Sequence, residues 1–120
     1  MPEKLIIEVS DGIVRASVSG VFSLDNAKAF FNEMLRRARE EGINRILIDA
    51  RGLTTEMPTI ERYEFGGHMV EQGAHAFKIA FVGTDDQVWH DRFLETVSVN
   101  RGLNAKSFTE IDEARDWLAK

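Results

Sequence analysis

Apolar and polar residues alternate from Leu5 to Val18 with one interruption at Asp11-Gly12, a pattern that predicts a β-hairpin. A two-residue type I′ turn there sets Ser10 opposite Ile13. One face then collects Leu5, Ile7, Val9, Val14, Ala16 and Val18, while the other places Glu8 opposite Arg15, a favourable cross-strand charge pair. From Ser23, a plausible N-cap, the period changes to that of a helix: Ala27, Phe30, Phe31, Met34, Leu35 and Ala38 form one stripe, and Gly42 suits the stop. The short apolar run at residues 44–49 reads as a buried central strand, ending in Asp49 and turning at Gly52-Leu53 into the polar loop at residues 54–59. A second helix is expected from Pro58 or Thr59 to about Gln72. Its inward stripe reads as Ile60, Tyr63, Gly67, Val70 and Ala74, with Gly67 allowing close approach to the sheet and the Gly66-Gly67 pair weakening the helix.

The rest repeats the alternation of strand and helix. Residues 78–82 are a buried strand closed by Gly83. Thr84 or Asp85 then caps a third helix that turns Trp89, Phe93, Val97 and Leu94 inward and stops at Gly102. A brief edge strand at residues 105–108 leads through Thr109 to a last helix with Ile111, Ala114, Trp117 and Leu118 on one side. The order β-β-α-β-α-β-α-β-α implies an α/β domain: a mixed, mainly parallel sheet with an N-terminal hairpin and about four helices, spanning residues 1–120 as one unit.

Composition narrows the function. The chain has 120 residues, 43% of them hydrophobic, enough for one core. It has no cysteine, so disulfides, thiolate metal sites and a cysteine nucleophile are excluded. The acidic opening reads as no signal peptide, and no apolar run reaches the ~20 residues of a membrane span, so a cytoplasmic protein without membrane insertion is expected. A net charge of −5 disfavours nucleic acid as a partner. The one dense basic run, Arg36-Arg37-Ala38-Arg39, lies between Glu33 and Glu40-Glu41, where intrahelical pairs account for it.

Three segments, VRASVSGVFSLDNAKAFFNEML at residues 14–35, INRILIDARGL at 43–53 and EIDEARDWL at 110–118, together resemble the STAS domain family. That family is typified by bacterial anti-sigma factor antagonists. The likeness is to its small, single-domain, sporulation-antagonist-like members, and it covers nearly the whole chain. It implies a non-enzymatic regulatory module that binds a protein partner through the second helix and the loop before it. The family's switch is a phosphorylated serine in an Asp-Ser-Ser-Gly motif at the start of that helix. Ungapped alignment from Asp49 puts Met57, Pro58, Thr59 and Ile60 in its place, so the switch motif is absent and Thr59 is expected to cap the helix rather than accept phosphate.

Catalytic constellations are sparse. His68 and His75 lie about 10.5 Å apart on an ideal helix, too far for one metal, and no metal or cofactor is expected. His90-Asp91-Arg92 are consecutive, and consecutive helix residues point in different directions. Gly83-Thr84 is followed by Asp85 and Asp86, whose charge opposes an anion there. Asp49, at a strand end, is the best-placed acid or base, but no nucleophile accompanies it. The better candidate site is apolar. Met57, Phe65 and Met69 form a second stripe on the second helix with His68 beside it, and they lean outward if the first stripe faces the sheet. If the helix lies in a groove, both stripes are core. Two functions stay open: contact with a protein partner or a second copy, or binding of a small apolar ligand by Phe65, Met69, Trp89 and Phe93 between the second and third helices and the sheet. The resemblance extends to the second, because relatives of this type have been compared with CRAL-TRIO lipid-carrier domains.

Overall fold

The computed structural model describes residues 4–21, 23–54, 58–84, 99 and 101–120. Strand β1 (Lys4–Ser10) and strand β2 (Ile13–Gly20) form the expected hairpin. Asp11 and Gly12 have φ of 54° and 73°, the two positive values a type I′ turn requires. The register is continuous and places Glu8 directly opposite Arg15. Helix α1 (Leu24–Glu41) follows, with Ser23 accepting from the Asn26 N–H at 3.2 Å and Gly42 closing the other end. Its stripe is the expected one, Phe31, Met34, Leu35 and Ala38 being buried. On its outer side Arg36 pairs with Glu33 and Glu40, and Arg37 with Glu41. Arg39 turns away from these glutamates: its guanidinium donates to the Gln72 carbonyl at 2.7 Å and lies 5.6 Å from the centroid of the Phe77 ring.

Strand β3 (Arg45–Leu53) runs on past Asp49, where the sequence ends the strand, and takes in Gly52-Leu53, where it places the turn. Ser17 pairs with Asp49 and Ser19 with Gly52, so β3 holds one residue more than β2 and forms a bulge. Helix α2 (Thr59–Glu71), a short 3-10 turn (Ala74–Ala76) and strand β4 (Lys78–Val82) come next. Strand β5 (Asn104–Phe108) and helix α3 (Ile111–Ala119) close the chain. Of the predicted third helix, Trp89, Phe93, Leu94 and Val97 lie outside the described residues. Its expected stop is described: Gly102 donates its N–H to the Val99 carbonyl at 2.9 Å.

The sheet order is β1-β2-β3-β4-β5, antiparallel at the first pair and parallel thereafter. One face carries Val14, Ala16, Ile46, Ile48 and Ile79, packed against α1 and α2. The other carries Leu47, Ala80 and Val82, packed against Ala114 and Leu118 of α3. Because side chains alternate along a strand, each of β3 and β4 supplies both cores at once. The β1–β2 half of the second face is mostly polar, with Lys4, Glu8, Arg15, Ser17 and Ser19 beside Ile6 and Ile13, and Arg15 reaches across to Asp49 of β3.

Candidate functional site

The loop entering α2 starts from a tight junction. A Cβ on Gly52 would lie 2.8 Å from the Ser19 Cβ and 3.0 Å from the Val18 carbonyl oxygen, so only glycine lets β3 pass β2 here. Two residues on, Thr54 donates both its N–H and its hydroxyl to the Gly20 carbonyl, at 2.9 and 3.2 Å. The loop therefore leaves the sheet from a fixed point. Pro58 occupies the N-cap of α2, and its carbonyl accepts from the Arg62 N–H at 3.0 Å. Thr59 is thus the first helical residue and not the cap that the sequence suggests. Met57 lies outside the described residues.

Helix α2 is turned relative to the sequence expectation. Phe65 is 6% exposed and Met69 is 0% exposed, whereas Ile60 and Tyr63 are 71% and 48% exposed. The buried stripe is Arg62, Phe65, Gly66 and Met69, spaced i, i+3, i+4 and i+7. Two expectations are overturned: Phe65 and Met69 do not lean outward, and Ile60 and Tyr63 do not face the sheet. Gly67 provides no close approach, since a Cβ there would meet nothing within 4 Å. The reason is on α1. Phe65 packs edge-on against Phe31 with ring centroids 5.6 Å apart, and Phe65 and Met69 join the core on the α1 face of the sheet. His68, expected beside an outward stripe, contacts the Asn32 Oδ1 through Nε2 at 2.8 Å and ties α2 to α1. Gly73 ends the helix where Arg39 reaches in to cap it.

The outward side of α2 thus presents Ile60 and Tyr63 on successive turns with Glu64 beside them. The Arg101 guanidinium lies 5.8 Å from the Tyr63 ring centroid. This face is the largest apolar exposure the described residues offer on one helix, and the sequence signal for it was present but assigned to the core.

Asp49 is not poised for chemistry. It is 8% exposed, and Arg51 donates its backbone N–H and its Nε to Oδ1 at 3.1 and 3.0 Å and its terminal nitrogen to Oδ2 at 3.0 Å. Arg15 approaches Oδ2 at 3.6 Å, so its ion pair is with Asp49 although Glu8 stands opposite it. Burial pushes the Asp49 carboxyl up, but the hydrogen bonds from Arg51 and the charges of Arg51 and Arg15 together outweigh it and hold the group below its ordinary value. An ionised carboxylate saturated by donors is a structural anchor for the bulge. His75 contacts the Arg101 carbonyl through Nε2 at 3.0 Å, and among the described residues no His, Asp and Glu cluster has metal-site geometry.

No curated protein matches the sequence. A solved anti-sigma factor antagonist from Mycobacterium paratuberculosis superposes with a TM-score of 0.67 at 13% identity, over 99% of this chain and 96% of that one, and shares its fold. The SpoIIAA-like family model matches residues 13–119, from the second strand of the hairpin to the end of α3. With strand order, the Gly52 junction and the closing helix all in place across that span, the chain belongs to the SpoIIAA-like family of STAS domains.

Proposed function

We propose that the protein is a non-enzymatic regulatory module that binds a protein partner through the outward face of α2 and the loop before it, without a phosphoserine switch. One observation carries the reading. Ile60 and Tyr63 stand exposed one turn apart, at the end of the helix next to the loop, while on the other side Phe65 and His68 contact α1 and Met69 is buried in the core. A helix whose other side is already packed presents its exposed aliphatic and aromatic pair in a formed arrangement, and such pairs serve as anchors at interfaces. The structural neighbour's description as an anti-sigma factor antagonist supports a protein as the partner. Asp49, the best-placed acid of the sequence, is committed to Arg51 and Arg15, which supports the non-enzymatic part.

The experiment is site-specific photo-crosslinking from position 60 in cells, followed by titration of the purified captured protein against wild type and variants. Ile60→Glu should weaken binding by about 30-fold or more, the equivalent of a ~2 kcal/mol anchor. The same substitution should leave the unfolding midpoint almost unchanged. Equal affinity of wild type and Ile60→Glu for every captured protein would overturn the assignment. Peptide mapping of the protein isolated from its own cells should find Thr59 unmodified. Stoichiometric phosphate on Thr59 would restore the switch.

A further inference from the structure

The sheet has two edges, and they are not alike. Strand β5 is only five residues long, a shortness that blunts an edge. Strand β1 has seven residues in unbroken register with β2, no proline and no bulge. Its core-facing side chains, Leu5, Ile7 and Val9, are all apolar and only half-buried, and Ile6 on its other side is 44% exposed. Its two charged residues, Lys4 and Glu8, both lie on the side away from α1, so the α1-facing row of the edge is entirely apolar.

The hairpin dictates which backbone groups that edge offers. A two-residue turn makes Ser10 and Ile13 a hydrogen-bonded pair, and pairs alternate from there along an antiparallel ladder. Glu8–Arg15, Ile6–Ser17 and Lys4–Ser19 are therefore hydrogen-bonded to β2, and the N–H and C=O groups of Leu5, Ile7 and Val9 point away from it. We infer that β1 is a homodimerisation edge, pairing antiparallel with β1 of a second copy about a two-fold axis at Ile7.

The register follows from self-complementarity. Only a dyad at Ile7 matches all three outward-pointing residues with one another: Leu5 with Val9 of the second copy, Ile7 with Ile7, and Val9 with Leu5, on the order of six hydrogen bonds. The same register continues the apolar row of Leu5, Ile7 and Val9 across the junction on the face that packs towards α1. On the opposite face Ile6 comes to lie opposite Glu8, and Lys4 falls diagonal to Glu8, uniting opposite charges across the seam. The occupant this edge fits is thus its own copy, in a continuous sheet through two protomers. The inference goes beyond the α2 reading and does not rest on it, because β1 and α2 share no residue.

The chain has no cysteine, so a single introduced one reports the register directly. Sedimentation equilibrium of the full chain, from low micromolar to submillimolar, should show association towards twice the 13.6 kDa chain mass. Ile7→Cys puts two thiols on the axis with Cα atoms about 5.5 Å apart, within disulfide reach. Ser10→Cys lies on the same strand and is exposed, yet the dyad keeps its two copies about 20 Å apart. Under mild oxidation Ile7→Cys should dimerise roughly tenfold faster or more, since pairing gives it a far higher effective concentration than random collision. Mixing separately made Ile6→Cys and Glu8→Cys proteins tests the same register at two positions outside the α1-face core, and should yield mainly the mixed disulfide. A chain that stays monomeric at all concentrations overturns the inference, as do equal rates for Ile7→Cys and Ser10→Cys. A dimer abolished by Ile60→Glu and indifferent to β1 would assign self-association to α2 instead.

Discussion

At the scale of single residues, burial separates two side chains of α2 that the sequence alone ranks the wrong way round. Phe65, packed on Phe31, is a core residue. Phe65→Ala should therefore cost about 3–5 kcal/mol in chemical denaturation, whereas Ile60→Glu should stay within about 0.5 kcal/mol. Comparable losses at the two positions would show that the helix is rotated from the arrangement described. Asp49 gives a second test with a pH signature. Its folded carboxyl lies below the ordinary value, so its contribution is complete above the unfolded value near pH 4 and is lost as pH falls through the lower folded one. Asp49→Asn should thus lower stability by about 1.5–3 kcal/mol at pH 7, the range for hydrogen bonds to a charged group. The gap to wild type should narrow steadily below about pH 4. A gap that is constant down to pH 2 would mean that the carboxylate charge contributes nothing.

Elements were legible in proportion to how local their causes are. The hairpin, α1 and α3 follow from signals within a few residues, the Asp11-Gly12 turn, the Ser23 cap and the Ala114/Leu118 stripe, and each stands where the sequence puts it. Helix α2 was found with its bounds but not its orientation. Its true buried stripe runs through Arg62 and Gly66, and a charged and a side-chain-less residue hide the apolar period that Phe65 and Met69 complete. The competing stripe through Ile60, Tyr63 and Val70 is the more hydrophobic on paper; Phe31 on another helix decides between them, and no local rule contains that information. The extension of β3 was hidden for a similar reason, since Gly52 reads as a turn unless its close contact with Ser19 is known. That contact is itself testable. Gly52→Ala forces a Cβ against backbone as well as side chain, and should cost about 1–3 kcal/mol. The denaturation midpoint should fall with the slope unchanged. A neutral substitution would show that the two strands are free to separate at the bulge.

For the molecule as a whole, the two faces of the sheet are covered unequally. Helices α1 and α2 share one face, while among the described elements α3 alone packs on the other, against Leu47, Ala80 and Val82. A lone closing helix held by one face alone would fray independently, yet the strands beneath it argue otherwise. Leu47 lies between Ile46 and Ile48 on β3, and Ala80 follows Ile79 on β4, so the residues that receive α3 alternate with those that receive α1 and α2. Two further contacts fasten the helix to the sheet: the Lys78 ammonium donates to the Trp117 carbonyl and sits 4.5 Å from the centroid of its ring, and Phe108 packs against the same ring at 5.7 Å. Loss of α3 would bare the second face of the two central strands, and the first core would lose the rigid wall it is built on. Leu118→Ala, at a fully buried position, should therefore destabilise the entire domain by about 2–5 kcal/mol. Far-UV and near-UV dichroism should report a single coincident transition, with the denaturant slope of wild type. Helical signal lost ahead of the tertiary signal would instead make α3 a separately folding unit, and the sheet a structure that one core is sufficient to hold.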